Sequence, residues 1–325
     1  PFAVYRHPNS RTVFAMFQDD TTTSSTENLN KSGFVFAPFD SKSKGLVLHV
    51  HRFFASEFTD LRKEEKDVTK LFDTGKNQYL KLVQKALRTI GQGMLNKVVI
   101  SRRIELPQRA IGVNIFIKAL QQYDNAFCYL WSHHETDTWV GATPERLINK
   151  VENVVQTTAL AGTLPYIQGQ APNWTAKEFE EQQMVTDFLQ DQLKHHIDTI
   201  GIGQTHSVRA GKLWHLRTDL EGELKDEKGL KAIIDKIHPT SAVCGQPKQL
   251  AKDFIISNEG YQREFYTGYL GTWNVDGKTA LFVNLRCMKI TPEKVNIYVG
   301  GGITASSVPE KEWVETQNKS TTMLS

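Results

Sequence analysis

Short segments with a strand-like hydrophobic pattern outnumber the helical segments in this chain, and this excess restricts its fold more than any other feature. Residues 45–54 show the pattern, since Leu46, Leu48 and Val50 alternate with more polar neighbours. A fold of repeated strand–helix–strand units needs about one crossover helix for each strand, and the helical segments are too few for that. The sequence therefore predicts an α+β protein with large, mostly antiparallel sheets and helices packed outside them.

The hydrophobic pattern and the polar segments between apolar stretches locate the individual helices, strands and loops. The apolar positions of residues 77–94 recur at helical spacing and predict an amphipathic helix. We expect a polar loop at residues 19–32 and a charged surface connection at residues 55–75. The other predicted helices are residues 113–122, 176–196, 228–236 and 248–256, and one that begins near residue 309. The predicted strands are residues 12–17, 33–39, 45–54, 97–105, 126–132, 137–142, 146–149, 153–159, 206–209, 212–222, 265–274, 279–291 and 294–300.

The size and charge of the chain exclude several classes of protein. Its 325 residues, 39% of them hydrophobic, can bury a sizeable core. We predict a single domain over residues 1–325, in which residues 1–75 are the less recognisable portion and residues 76–325 carry the motifs. The formal net charge is only +3, and no basic run is interleaved with aromatic residues. Nucleic acid is therefore not expected as a partner.

Cysteine usage and hydropathy indicate where the protein works. Cys128, Cys244 and Cys287 are far apart and form no metal-binding spacing, which argues against disulfides and predicts a reducing, cytoplasmic location. No apolar run reaches the length of a membrane span, so a membrane partner is not expected. We expect a monomer, because no coiled-coil or apolar interface pattern is present. The chain begins with Pro1 rather than Met, so we expect its natural N-terminus to lie earlier.

The C-terminal segment combines three features of a ligand site within a short stretch. Three glycines, residues 300–302, follow an apolar strand pattern and allow a ligand to approach the backbone closely. The helix that follows carries Glu312 and Glu315 three residues apart, so both carboxylates leave the same face. Lys319 projects from nearly that face one turn later. An isolated pair of this kind is usually a solvated acidic helix start, but the combination favours a ligand site.

A second acidic pair repeats this arrangement. Glu178 and Glu181 stand three apart at the start of the predicted helix 176–196. Two such helix starts could together enclose one hard divalent cation, and Mg²⁺ is the cation that oxygen ligands suit. The alternative for this pair alone is a charged, exposed face that also contains Glu180.

From about Lys97 to the C-terminus, the chain carries ten motifs in the order found in one enzyme family. It resembles the chorismate-utilising enzymes, which include isochorismate synthase, salicylate synthase, anthranilate synthase component I and aminodeoxychorismate synthase component I. The resemblance implies a fold with two large antiparallel sheets and an active site in the cleft between them. The motifs are NKVVISRR (96–103), GATPERL (141–147), TTALAGT (157–163), KEFEEQQMV (177–185), LWHLRTDLEG (213–222), HPTSAVCGQPK (238–248), the set Glu259, Arg263, Tyr266 and Gly268, LRCM (285–288), YVGGGI (298–303) and EWVETQNK (312–319).

The resemblance assigns roles to residues of these motifs. It implies that Glu181 and Glu315 are the principal Mg²⁺ ligands, with Glu178 and Glu312 acting directly or through water. Arg286 would bind one carboxylate of chorismate as a bidentate fork, and Lys319 with the backbone of two glycines would bind the other. Two further pocket positions, Arg263 and Tyr266, are also compatible with a buried structural role. The substrate-binding residues implied in this way are Ala161, Gly162, Thr163, His238, Tyr266, Arg286, Gly301, Gly302 and Lys319.

The members of this family share a substrate and differ in their nucleophile. The residues at three positions therefore distinguish their reactions. Lys97 would act as a general base on water, whereas anthranilate synthases place glutamine there and use ammonia. Glu145 would act as the general acid on the departing 4-hydroxyl. Ala161 leaves space for water where aminodeoxychorismate synthases carry a lysine nucleophile. These residues imply an isochorismate synthase, an isomerase that feeds menaquinone, siderophore or salicylate pathways.

Two other functions remain open. Salicylate synthase uses the same base and acid and then expels pyruvate, although the motif that begins at His238 resembles the isochorismate synthases. A catalytically silent binding protein would keep the cleft without the chemistry, and the retained glutamates, Lys97 and Glu145 argue against it. The magnesium helix also departs from the family pattern, because Phe179 and Gln182 stand where a basic residue and a histidine are frequent.

Overall fold

The computed structural model describes residues 1–27, 29–59, 75–107, 110–210, 213–226 and 228–324. Within these ranges the strands are β1 (Phe2–Arg6), β2 (Thr12–Phe17), β3 (Ser24–Ser25), β4 (Gly33–Ala37), β5 (Leu46–His49), β6 (Arg52–Glu57), β7 (Lys97–Leu106), β8 (Phe127–His133), β9 (Asp137–Thr143), β10 (Arg146–Val151), β11 (Val154–Pro165), β12 (Ile197–Ile202), β13 (His206–Ala210), β14 (Leu213–Leu224), β15 (Gly245–Gln246), β16 (Tyr269–Val275), β17 (Lys278–Val283), β18 (Cys287–Ile290) and β19 (Val295–Ile303). The helices are α1 (Lys76–Gly91), α2 (Gly112–Gln122), α3 (Ala176–Leu193), α4 (Lys228–Ile237), α5 (Lys248–Asn258) and α6 (Pro309–Leu324).

The strands form two large antiparallel sheets. The first sheet has the order β15-β7-β19-β18-β9-β8-β1-β2-β6, and the second has the order β12-β14-β11-β10-β17-β16-β4-β5-β3, with β13 also paired to β14. Helices lie outside both sheets, so the predicted α+β class is confirmed. No helix of the described residues is long and apolar enough to cross a membrane.

A buried aromatic layer joins the two sheets. Phe127 of the first sheet stacks on Phe282 of the second with ring centroids 4.3 Å apart. Phe34 of the second sheet stacks on Trp131 of the first at 5.8 Å. All four rings are fully buried. Burial of rings of this size supplies a large part of the hydrophobic stabilisation, and stacked pairs add about 0.5–1.5 kcal/mol each.

The helices cover the outer faces and one end of this sandwich. Helix α2 packs on the first sheet through one apolar cluster, and helices α3 and α4 pack on the second sheet through another. Helices α1, α5 and α6 surround strands β7 and β19 in a further cluster that includes Tyr79 and Trp313. The end of the molecule at β7 and β19 is therefore enclosed by three helices that come from distant parts of the chain.

The sequence predicts one long strand over residues 279–291, and this prediction is wrong. The chain leaves the second sheet after β17 and enters the first sheet at β18. Asn284 holds the crossing, because its buried side chain donates to the Phe265 carbonyl at 2.9 Å and accepts from the Tyr129 hydroxyl at 2.6 Å. Arg286 follows in the left-handed region, with φ of 45°. Alternation continues across the crossing, so the pattern contains no sign of it.

Residues 45–54 also divide between the sheets, as β5 in the second and β6 in the first. Strands β1, β12 and β15 were not predicted, and β3 lies within the expected loop at residues 19–32. These strands are short or lack a clear alternation, and pairing with neighbours from distant parts of the chain defines them. Of the expected connection at residues 55–75, the first part belongs to β6, and residues 60–74 lie outside the described residues.

A buried ion pair fixes strand β7 to the end of helix α5. The Arg263 guanidinium lies 2.5 Å from Glu259 Oε1 and donates to the Val99 carbonyl at 2.7 Å. Glu259 Oε1 also accepts from the backbone N–H of Ser101 at 2.7 Å. Both charged side chains are almost completely buried. Arg263 therefore has the structural role that the sequence left open for it.

We expect Arg263→Ala to lower the free energy of unfolding by about 3–5 kcal/mol, because it leaves the Glu259 carboxylate buried without a counter-charge. Urea denaturation measures the change. The control is Lys294→Ala, which breaks an exposed pair with Glu105 at 2.8 Å and should cost less than about 1 kcal/mol. Equal stabilities for the two variants would contradict the role of the buried pair.

Candidate active site

The three glycines of β19 bring the acidic face of helix α6 against the sheet. A Cβ atom on Gly301 would lie 3.3 Å from Glu312 Oε2 and 3.7 Å from Glu315 Oε1. Only a residue without a side chain leaves this space open to both carboxylates. The glycines and the first acidic pair, which the sequence placed on neighbouring elements, therefore meet at one point.

Lys319 lies one turn beyond this pair and contacts the same strand. Its ammonium group donates to the Gly300 carbonyl at 2.9 Å and lies 2.6 Å from Glu315 Oε1. The lysine thus partly neutralises the acidic pair. Its predicted contact with a substrate carboxylate, shared with the backbone of Gly301 and Gly302, stays a prediction.

Lys97 lies near both the glycine strand and the second acidic helix. It is the first residue of β7, and its Cε atom lies 3.1 Å from the position that a Cβ atom on Gly302 would occupy. Its Nζ atom lies 3.9 Å from Glu181 Oε1 on helix α3. The chain therefore places Lys97 between Glu181 on one side and the glycine strand with Glu312 and Glu315 on the other.

Glu178 caps the start of its own helix. Its Oε2 atom accepts hydrogen bonds from the backbone N–H of Thr175 at 2.8 Å and from the Thr175 hydroxyl at 2.5 Å. This is a capping box, in which a glutamate satisfies a free N–H at the helix start. The Cβ atom of Glu178 also packs 3.4 Å from the position of a Cβ on Gly162, which has φ of 66°. These hydrogen bonds engage one oxygen, Oε2, of the carboxylate that was predicted as a metal ligand.

Glu145 lies between β9 and β10, where the chain passes from the first sheet to the second. Its side chain is partly buried, and Thr240 Oγ1 lies 3.5 Å from its Oε1 atom. Burial raises the pKa of Glu145 to about 7, although the charge of Lys97 and the hydrogen bond from Thr240 oppose the rise. The backbone of Glu145 is fixed by a hydrogen bond from Val283 N to its carbonyl at 2.9 Å. A carboxyl group of this kind can hold and release a proton near neutral pH.

Arg286 lies on the other crossing between the sheets, where the chain passes from β17 to β18. The Ala142 N–H donates to its carbonyl at 3.1 Å, and burial lowers the pKa of its guanidinium. Within the described residues, this guanidinium makes no hydrogen bond and no ion pair with a carboxylate. Partial burial of an arginine without a counter-ion costs free energy, and a bound anion that pairs with the guanidinium offsets this cost. Arg286 is therefore available for a carboxylate ligand.

His215 belongs to this site, although it was not among the predicted site residues. Its Nδ1 atom lies 2.9 Å from the Gly162 carbonyl, and since a carbonyl only accepts, the proton is on Nδ1. Burial lowers the pKa of His215, the hydrogen bond to the Gly162 carbonyl partly opposes this change, and the charges of nearby cations lower the pKa further; these cations are Lys319, Lys97 and Arg286. The ring is thus neutral and lies among the three cations of the cleft. The only sequence signal was its place in the motif at 213–222.

The remaining predicted substrate-binding residues lie at different depths. Ala161 is in register with Leu216 on the neighbouring strand, next to Gly162. Tyr266 is buried behind the glycine strand, with its hydroxyl 3.1 Å from the position of a Cβ on Gly300. Thr163 belongs to β11, and its side chain is outside the described part of the structure.

His238 is not brought together with the other predicted residues. It is buried against Tyr269, with ring centroids 4.9 Å apart, and its Nε2 atom lies 3.1 Å from the Pro38 carbonyl. Burial lowers its pKa to about 3, so the ring is neutral. The residue of this motif that reaches the site is Thr240, through its contact with Glu145. The predicted role of His238 in substrate binding stays a prediction.

The acidic residues fit a hard cation by their chemistry. All four predicted ligands supply carboxylate oxygens, which suit Mg²⁺. Burial raises the pKa of Glu312, and the neighbouring charge of Glu315 raises it further, an effect that a cation would relieve. Among the described residues, no group of three or more aspartate, glutamate, histidine or cysteine side chains is already assembled for a metal. Glu312 and Glu315 are side by side, whereas Glu181 lies near Lys97 and Glu178 caps its helix.

The fold and this set of residues define the class of the protein. A family model described as chorismate binding enzyme matches residues 39–325. The chain belongs to this family, as its motifs indicated, and the match begins well before the first motif that the sequence revealed.

Individual relatives are isochorismate synthases. Isochorismate synthase DhbC of Bacillus subtilis is 31% identical over 261 residues, which cover 74% of this chain and 65% of that protein. The vibriobactin-specific isochorismate synthase of Vibrio cholerae is 28% identical over 308 residues, covering 90% of this chain and 78% of that protein. The structure of MenF, the menaquinone-specific isochorismate synthase of Escherichia coli, matches with a TM-score of 0.83 at 21% identity and covers 100% of this chain and 89% of that one. The chain thus has the predicted chorismate-binding fold and spans less than two thirds of the Bacillus subtilis relative.

Proposed function

We propose that this protein is an isochorismate synthase, an isomerase that converts chorismate to isochorismate. Water adds at position 2 of the ring while the 4-hydroxyl leaves as water, so the atoms of the substrate and product balance. The observation that carries the proposal is the combination of Lys97 with Glu145, a carboxyl group whose pKa is raised to about 7. The names of the relatives support the same reaction.

Lys97 and Glu145 each carry out one of the two proton transfers of the reaction. Lys97, in its uncharged form, accepts a proton from the attacking water. Glu145, in its protonated form, donates a proton to the departing 4-hydroxyl. Each turnover leaves Lys97 protonated and Glu145 ionised, and the return of one proton from the lysine to the carboxylate restores the starting state. Ala161 leaves room beside the ring for water.

The cations of the cleft complement the two carboxylates of chorismate. Arg286 supplies a guanidinium without an ion-pair partner in the described structure, and a planar fork of this kind pairs with a carboxylate through two hydrogen bonds. Lys319 and the backbone of Gly301 and Gly302 would bind the second carboxylate. The neutral ring of His215 adds no further charge between them.

Glu181 and Glu315 would hold Mg²⁺ as principal ligands, with Glu178 and Glu312 directly or through water. When bound, the cation would supply positive charge for the ring carboxylate.

Product analysis tests the proposed reaction. Wild-type protein incubated with chorismate and Mg²⁺ should accumulate isochorismate, separable by chromatography, with salicylate and pyruvate only at the level of spontaneous decay. An incubation with boiled protein gives that level. Stoichiometric release of pyruvate would assign the protein to the salicylate synthases instead, and unchanged chorismate would indicate a silent binding protein.

A further inference from the structure

One buried hydroxyl at this site has no partner. Tyr79 lies on helix α1, before the motif-bearing segments, and only 2% of its surface is exposed. Its hydroxyl makes no hydrogen bond within the described structure. A buried polar group without a partner costs about 1–3 kcal/mol, so such groups are uncommon in folded proteins. The cost indicates that a partner is present in some state of the protein.

The surroundings of the Tyr79 hydroxyl identify that partner. The hydroxyl lies 3.7 Å from the position that a Cβ on Gly301 would occupy, which is the same position that Glu312 Oε2 approaches to 3.3 Å and Glu315 Oε1 to 3.7 Å. One donor and two acceptors therefore border a single space that the glycine leaves open. A phenol is protonated at neutral pH and can donate, and both carboxylates can accept.

The ring of Tyr79 is held independently of its hydroxyl. It packs against Trp313 with ring centroids 6.0 Å apart, and Trp313 is itself buried under the guanidinium of Arg102 at 4.1 Å. Trp313 lies on helix α6 between the two glutamates. Packing therefore fixes the phenol beside the acidic pair without any hydrogen bond to its hydroxyl within the described residues.

We propose that Tyr79 is a positioning residue of the metal site, whose hydroxyl donates a hydrogen bond to the Glu312 and Glu315 pair and orients these oxygens for a divalent cation. The inference rests on the proposed Mg²⁺ site and extends it to a helix outside the motifs. Hydrogen bonds to ligating carboxylates restrict their orientation, and removal of such a partner typically lowers metal affinity about 10- to 100-fold. Tyr79 itself touches neither the substrate nor the reacting atoms.

The experiment compares Tyr79→Phe with the wild type in a titration with Mg²⁺ by calorimetry, without substrate. The substitution removes only the hydroxyl and keeps the ring on Trp313. We expect the Kd for Mg²⁺ to rise about 10- to 100-fold, with the thermal midpoint of the metal-free protein nearly unchanged. In rate measurements, the Mg²⁺ concentration for half-maximal activity should rise by the same factor, while kcat at saturating Mg²⁺ stays close to that of the wild type.

Tyr298→Phe is the matched control. Its hydroxyl is also buried without a partner, but the ring stacks on Tyr266 and Trp139 in the layer between the sheets. Its Kd for Mg²⁺ should equal the wild-type value. If wild type binds Mg²⁺ and Tyr79→Phe binds it equally well, the role of Tyr79 is wrong and the metal site stands. If wild type binds no Mg²⁺ and works in its absence, the metal site and the role of Tyr79 both fail.

Discussion

Substitution of Lys97 by glutamine is expected to lower kcat for isochorismate formation by about 10²–10⁴, the usual contribution of a positioned acid or base. Glutamine keeps much of the length of lysine and can still occupy the space beside Gly302, but it cannot take a proton from water. The affinity for chorismate should change little, because Arg286 and Lys319 remain. Initial rates from chromatography of the products, together with equilibrium binding of chorismate, measure the two effects.

The control for this substitution is Lys194→Gln, since Lys194 is exposed at the end of helix α3 and pairs only locally with Asp191. It should retain the wild-type rate. Full activity in Lys97→Gln would contradict the water-activation mechanism, and a loss confined to the KM for chorismate would make Lys97 a binding residue.

The same mechanism determines how the rate depends on pH. Glu145 donates only while it is protonated, so with its pKa at about 7 its contribution is present below that pH and is lost above it. The wild-type rate should therefore fall as the pH rises through about 7. Glu145→Gln, itself slower by about 10²–10⁴, should lose this pH dependence, because glutamine has no proton to release in that range.

Removal of the metal, or of either principal ligand, is expected to reduce turnover by about 10³ or more. A loss of that size corresponds to about 4 kcal/mol, which lies within the several kcal/mol that a cation contributes to charge stabilisation. Chelation by EDTA, Glu315→Ala and Glu181→Ala should each give this result with the far-ultraviolet circular dichroism spectrum unchanged. Added Mg²⁺ should restore the chelated wild type but neither variant.

Each ligand has a matched control on its own helix. Glu310 precedes the first pair on α6, Glu180 adjoins Glu181 on α3, and both side chains are exposed. Glu310→Ala and Glu180→Ala should retain wild-type activity and the same dependence on Mg²⁺. A rate that a chelator leaves unchanged would show that the carboxylates serve another purpose.

Local features of the site could be predicted because they depend on helical spacing and sequence neighbours. Glu312 and Glu315 share a face by their spacing, and the glycines before them lie within reach of that face. The antiparallel class likewise followed from alternation over many short segments. In each case, the information is contained in a few consecutive residues.

Features that depend on distant parts of the chain could not be predicted in the same way. The crossing at residues 284–286 is held by Asn284 through contacts with Phe265 and Tyr129, and its own sequence continues the strand pattern. The proximity of His215 to three cations depends on the pairing of β11 with β14. The local cap formed by Glu178 competes with its predicted role, and spacing alone does not show which of the two it adopts.

The aromatic layer between the sheets lies beside both chain crossings that carry residues of the proposed site. Lys97 belongs to the first sheet, whereas Glu145 and Arg286 lie on the two chain crossings that flank the stacked rings of Phe127 and Phe282. Packed aromatic rings are nearly incompressible, so this layer works as a spacer of constant thickness. We therefore expect a change of ring size in this layer to shift Glu145 and Arg286 relative to Lys97, although none of these three residues is itself replaced.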